Sequence, residues 1–176
     1  MTGVVIYRSK YGSSKKYAEW ISESTGFDCF SVDGFKVDSL DKYDTVIVTG
    51  GVYATGISCT SFLKKIINKI EGKKVAVFTC AASPYDEVFF NELVANNMKD
   101  ELSDIPVFYG RGGFDMKNMS FADRTLCKIL RKAVGKKDPK DYEVWEKALM
   151  EVAEDEAGDW TDKSYIEPLL DYLKAA

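Results

Sequence analysis

The chain has no histidine. That removes Ser-His-Asp triads, Cys-His pairs and histidine metal sites in one step. Cysteine is scarce and scattered. Cys29, Cys59, Cys80 and Cys127 form no CxxC pair that could hold zinc or an iron–sulfur cluster. We therefore expect no metal site and four reduced thiols, as in a cytoplasmic protein. Long apolar runs are also missing, and none approaches the roughly 20 residues of a membrane-spanning helix. Arg8 and Lys10 interrupt the first apolar stretch at once, so no signal peptide is expected. Nor is there an excess of positive charge. The net charge is −4, which argues against a nucleic-acid partner.

What remains is an ordinary soluble composition, 45% hydrophobic and 30% charged, so the chain can bury a core unaided. At 176 residues, one domain spanning 1–176 is the simplest expectation. Val4-Val5-Ile6-Tyr7 is a continuous apolar run, which suits a strand buried on both faces. Similar runs at 46–48 and 75–78 predict two more buried strands, the first stopping at Thr49-Gly50-Gly51. Shorter strands are expected at 27–32 and 105–109. Helical spacing is predicted from Ser14 to Thr25, over 61–70, 87–102 and 121–134, and in a final helix at 164–173. Strands alternating with helices predict an α/β fold: a five-stranded parallel sheet in the order 2-1-3-4-5, with helices on both faces. In such sheets a ligand lies beyond the carboxyl ends of the strands, at the switch point. Three segments follow buried strands there.

The first is Ser9-Lys10-Tyr11-Gly12-Ser13-Ser14. It joins a strand end to a helix start, where free N–H groups and the positive dipole end suit a phosphate. The serines add hydroxyls, and Gly12 lets the backbone approach closely. The segment lacks the GxxxxGK[ST] and GxGxxG patterns. An ordinary Ser/Gly turn with Ser13 as helix cap is the structural alternative. Val4 to Ser14 resembles the signature of the flavodoxins: a buried strand, a hydroxyl-rich loop around a glycine, then a helix. The resemblance implies a flavodoxin-like three-layer sandwich that binds FMN. It implies that Ser9, Tyr11, Gly12, Ser13 and Ser14 hold the phosphate, with Lys10 giving its backbone N–H.

The second segment, Thr49-Gly50-Gly51-Val52-Tyr53-Ala54-Thr55-Gly56, offers a close-approaching loop and a flat aromatic face in Tyr53. The resemblance implies that Gly51, Val52, Tyr53, Ala54, Thr55 and Gly56 line one side of the flavin ring. The third, Thr79-Cys80-Ala81-Ala82-Ser83-Pro84-Tyr85, places small residues after a strand. Cys80, Ala81, Ala82 and Ser83 are expected at the ring, with Tyr85 over its other face. No sequence-adjacent base activates Cys80, and no side chain stands out as a catalyst.

Phe108-Tyr109-Gly110-Arg111-Gly112-Gly113-Phe114-Asp115 and Phe121-Ala122-Asp123-Arg124-Thr125-Leu126 resemble flavodoxin-domain proteins related to the menaquinone-dependent protoporphyrinogen oxidases. Asp159-Trp160-Thr161-Asp162 echoes the C-terminal stretch of that group. Where the group places Arg-Tyr, this chain has Val52-Tyr53. The resemblance implies electron transfer through bound flavin, by a carrier or by an oxidoreductase of the protoporphyrinogen oxidase or quinone reductase type. A flavin-free interaction module of the same fold is the remaining alternative. A partner protein or a quinone-like small molecule is the expected redox partner, and a monomer or weak dimer the expected state. Asp123 and Arg124 are read equally as a helix-start carboxylate and a surface arginine.

Residues 135–163 form a charge-rich insertion or extension, with a helix expected around 142–152 and then a loop. Glu151, Glu154, Asp155, Glu156, Asp159 and Asp162 make an acidic run. It is either a solvated face or a docking patch for a basic redox partner. A phosphoacceptor receiver needs acids after strand one, and a low-molecular-weight phosphatase needs Cys-x5-Arg there. Arg8 to Ser14 offers neither.

Overall fold

A computed structural model describes residues 2–154 and 156–175. Asp155, read as part of the acidic run, lies outside the described residues. Five parallel strands form the main sheet: β1 (Gly3–Arg8), β2 (Asp28–Ser31), β3 (Thr45–Tyr53), β5 (Lys74–Ala81) and β6 (Val107–Arg111). Their order is β2-β1-β3-β5-β6, the doubly wound arrangement expected from the sequence. A two-residue strand, β4 (Gly56–Ile57), turns back antiparallel on the end of β3. β7 (Gly113–Asp115) and β8 (Ala157–Asp159) form a separate antiparallel pair.

The strands follow from burial on two sides. Val4, Val5 and Ile6 are wholly buried, as are Val46, Ile47 and Val48 beside them. Alternate side chains of these strands enter different cores. Val4, Ile6, Val46 and Val48 join a cluster with Phe62, Leu63 and Ile66 of α2 (Thr60–Ile66) and Leu93 of α3 (Glu87–Asn97). Val5 and Ile47 join another with Tyr17, Ala18 and Ile21 of α1 (Ser13–Thr25) and Leu169 and Leu173 of α6 (Glu167–Lys174). The final helix thus packs back on the sheet, as its apolar spacing implies.

Several boundaries differ from the sequence reading. β3 does not stop at Thr49-Gly50-Gly51 but runs on to Tyr53, because β4 supplies a pairing partner there. The helix expected over 61–70 tightens into a 3-10 turn at Ile67–Lys69. That expected over 87–102 ends at Asn97, whose side chain is drawn back to the β3–β4 hairpin, and a 3-10 turn spans Asp100–Leu102. The strand expected at 105–109 is offset to Val107–Arg111, following Pro106, which has no N–H to donate. That expected at 27–32 shortens to Asp28–Ser31. The loop after α5 (Val144–Glu151) carries β8.

α4 (Phe121–Val134) has its expected bounds, capped by Ser120, whose hydroxyl accepts from Asp123 N–H. Its apolar face, however, is not covered by the sheet. Within α4 only Val134 is buried.

Leu169 is fully buried between α1 and the sheet. Leu169→Ala is expected to lower unfolding free energy by about 2–5 kcal/mol, the range for a leucine deleted from a close-packed core. Urea unfolding measures it. A loss under about 0.5 kcal/mol, the range of surface substitutions, would show that α6 is not part of the core.

Candidate functional site

The carboxyl ends of β1, β3 and β5 meet at one edge of the sheet, and a cavity of about 540 Å³ opens there. Each strand hands its chain to a loop that lines it.

After β1 the chain turns at Gly12, whose φ of 102° favours a residue without Cβ. Gly12 N–H donates to Ser9 Oγ at 3.0 Å, closing the loop. α1 then begins. Lys16 N–H is bonded to Gly12 C=O at 3.0 Å, so the N–H groups of Ser13, Ser14 and Lys15 precede the intrahelical ladder. Ser13 Oγ accepts from Gly113 N–H at 3.0 Å, and Ser14 Oγ lies 3.5 Å from Cys80 Sγ. Ser13 caps by neither side-chain bond nor position; Gly12 is the residue before the helix.

The end of β3 forms the second wall. Ala54 sits at φ 55° in the tight turn to β4. Asn97 of α3 anchors this hairpin, donating to Thr55 C=O at 2.7 Å and accepting from Ile57 N–H at 2.9 Å. Tyr53 folds back over Gly51, where a Cβ would lie 2.9 Å from the phenol oxygen. That oxygen accepts from Lys10 N–H at 3.3 Å, tying the first loop to the second.

The third wall follows β5. Three bonds fix its backbone. Gly112 N–H donates to Ala81 C=O at 2.6 Å, Arg111 Nε–H to Ala82 C=O at 2.8 Å, and Tyr109 O–H to Ser83 C=O at 2.8 Å. Arg111 also stacks on Trp160, 4.0 Å from the ring centre, and pairs with Glu151. Burial pushes the Cys80 thiol up to about 11, so it is held as the neutral thiol.

Of the residues read from sequence, the cavity is lined by Tyr11, Ser13, Ser14, Gly51, Val52, Tyr53, Ala54, Thr55, Cys80, Ala81, Ala82 and Ser83. Ser9, Lys10, Gly12 and Gly56 shape these loops from behind without lining it. Tyr85 is outside too. It packs on Phe90 and Tyr109 at ring distances of 5.5 and 6.0 Å, drawn away by aromatic partners.

The outer wall was missed. Phe114, Met119, Leu126 and Leu130 line it from the region after β6, and Trp145 and Leu149 from α5. Helical spacing marks Leu126 and Leu130 as one face, but nothing in that spacing says the face borders a cavity rather than the sheet. Asp123 also lines the cavity. It accepts from Tyr11 O–H and pairs with Lys10 Nζ, latching α4 to the first loop. Asp123 is therefore neither a bare helix-start carboxylate nor a surface group alone. Arg124 is not a free surface arginine either: its guanidinium holds the carbonyls of Met116, Lys117 and Met119.

Most of the acidic run has a partner within the chain, in contacts that stay partly exposed. Glu151 pairs with Arg111, Glu154 with Lys128 and Asp159 with Lys16, while Asp162 caps the turn at Ser164. Among the described residues no group of acids or cysteines is arranged to hold a metal.

Chemically, the cavity has two parts. The inner part combines free helix N–H groups, hydroxyls and exposed loop backbone, which suits a phosphate joined to a hydrogen-bonding ring. The outer part is apolar. Such a site at the switch point of a doubly wound sheet defines a binding protein of the nucleotide-cofactor kind. The sequence model of the flavodoxin domain matches residues 4–164, and the chain belongs to that family. Solved structures similar to it include a flavodoxin from the domain Archaea, 20% identical over 73% of this chain and 92% of that one, with a TM-score of 0.44. A WrbA-like flavodoxin from Agrobacterium tumefaciens is 19% identical over 70% and 87%, with a TM-score of 0.47. A flavoprotein from Lactobacillus acidophilus, solved in complex with FMN, is 16% identical over 62% and 91%, with a TM-score of 0.42. No curated protein matches the chain.

The latch carries a pH dependence. Hydrogen bonds from Lys10 and Tyr11 hold the Asp123 carboxyl below its ordinary value of 3.8. A depressed folded-state value adds stability that is full above 3.8 and is lost as pH falls through the lowered value. Asp123→Asn is expected to be less stable than the parent at neutral pH, with the gap closing below about pH 4. Urea midpoints measured across pH check it. A gap that stays constant into acid would contradict the latch.

Proposed function

We propose that this protein binds FMN non-covalently in the cavity and transfers electrons through it. The observation that carries the reading is the start of α1. Its first residues, Ser13 and Ser14, line a cavity large enough for a flavin nucleotide, and their N–H groups precede the helical ladder. Family membership supports it, as does the FMN bound in the Lactobacillus flavoprotein. The residues fit the group. Ser13 and Ser14 would hold the phosphate, with Tyr11 beside it, its hydroxyl given to Asp123, Ser9 and Gly12 shaping the turn, and Lys10 tying the loop to Tyr53 through its backbone N–H. Val52 to Thr55 and Cys80 to Ser83 would border the ring, their backbone groups supplying its hydrogen bonds. FMN supplies the one- and two-electron chemistry; the chain supplies binding, orientation and exclusion of water.

The outer wall favours an oxidoreductase with its own reactant over a pure carrier. Phe114, Met119, Leu130, Trp145 and Leu149 enlarge the cavity beyond the three loops. No Lys or Arg lines it among the described residues, and Asp123 is its one charged group. An apolar wall offers a charged reactant little. An uncharged, quinone-like molecule suits the wall better.

Ser13→Asp tests the assignment by placing a carboxylate against the phosphate. FMN affinity is expected to fall about 100-fold or more, the scale of a buried like-charge contact, while riboflavin, which lacks the phosphate, loses far less. Fluorescence titration of both flavins measures it. Equal losses, or none, would put the phosphate elsewhere.

A further inference from the structure

We propose that α4 docks the protein on the surface of a lipid bilayer containing anionic headgroups. The reading concerns the outside of this helix and does not depend on what the cavity holds.

At 100° per residue, the apolar residues of α4 other than Phe121 form one broad arc. Half of that arc is used. Cys127 and Leu130 line the cavity and Val134 is buried. The other half is bare. Ala122, Leu126, Ile129 and Ala133 form an exposed strip, with Leu126 51% and Ile129 61% accessible. Phe121, 85% accessible, lies off the strip, about 110° round the helix from its centre and between Lys128 and Lys132. Nothing in the fold covers these side chains among the described residues.

The charge around the strip has the opposite sign to the whole protein. Residues 117–137 hold seven bases (Lys117, Arg124, Lys128, Arg131, Lys132, Lys136, Lys137) and one acid, Asp123, in a chain of net charge −4. Three of these bases are committed inward: Arg124 and Arg131 hold backbone carbonyls, and Lys137 pairs with Glu146. Lys132 and Lys136 are exposed and make no ion pair among the described residues. Lys128 meets Glu154 at 3.4 Å with both ends half-exposed, a contact that competing anions can replace.

A single convex helical ridge with large apolar tips and flanking lysines is the pattern of a helix lying in a membrane interface. The tips enter the acyl boundary and the lysine stems keep their ammonium groups at the headgroups. A stable protein partner would instead need a broader, shaped surface of about 800 Å² on each side. No helix among the described residues is long and apolar enough to cross a membrane. Leu126 belongs both to the strip and to the cavity wall. Docking through α4 therefore sets the cavity's apolar edge against lipid.

Co-sedimentation of the full chain with vesicles tests this. One set is neutral phosphatidylcholine; the other carries about 30% phosphatidylglycerol to supply negative surface charge. Binding is expected to the anionic vesicles only, weakening as salt rises. Phe121→Ser/Ile129→Ser removes two apolar tips that do not line the cavity and is expected to weaken binding about tenfold or more. Lys132→Glu/Lys136→Glu is expected to weaken it at least as much, since each basic residue near the surface is worth about fivefold. Circular dichroism and urea midpoints confirm that both variants are folded. Absence of binding, equal binding to both vesicle types, or binding unchanged in the Phe121/Ile129 variant each overturns the proposal. So does concentration-dependent self-association that the same variant abolishes, which would make a second copy the occupant.

Discussion

A parallel sheet covered by helices on both faces meets the outside only at its strand ends. There the strands must hand their backbones to loops, and the polar groups of those loops need partners. In this protein the constraint is met in a particular way. Thr49 on β3 and Thr79 on β5, both buried and one step out of register so that they point to opposite faces of the sheet, donate to Ser14 C=O and Gly50 C=O at 3.1 and 3.0 Å. Arg111 and Tyr109 hold the carbonyls after β5 from outside. The loops are thus fixed by bonds made behind them and by their own hydroxyls, and the N–H groups at the start of α1 stay outside the helical ladder. The cavity is the consequence of that division.

The sheet was legible in the sequence because its signal is local. Runs such as Val4-Val5-Ile6-Tyr7 carry the two-sided burial of a central strand in four residues, and the strand order follows from alternation with helices. The three loops were legible for the same reason: each lies directly after such a run. The losses are equally physical. β3 extends past its glycines because of β4, a partner only two residues long. Tyr85 turns from the cavity because Phe90 and Tyr109 offer it aromatic neighbours. Neither pairing leaves a periodic trace.

The outer wall was illegible at a different level. Residues 114–149 read as a helix, a charged stretch and another helix, with no sign of which faces meet. In the structure Asp123 reaches Lys10 and Tyr11, more than a hundred positions earlier, and this fixes α4 at the cavity mouth. The acidic run shows the reverse. Its composition leaves a solvated face and a docking patch open, and Glu151, Glu154 and Asp159 each pair within the chain at its surface. Charge composition alone does not say whether a group is spent inside the fold.

The central claim is that the first loop and α1 hold the phosphate of FMN at the switch point. Titrating the flavin-free protein with FMN and following flavin fluorescence tests it most directly. Saturable quenching at one FMN per chain, with riboflavin bound much more weakly, is the result the account predicts. A protein that leaves FMN fluorescence unchanged, or takes up both flavins equally, would contradict it.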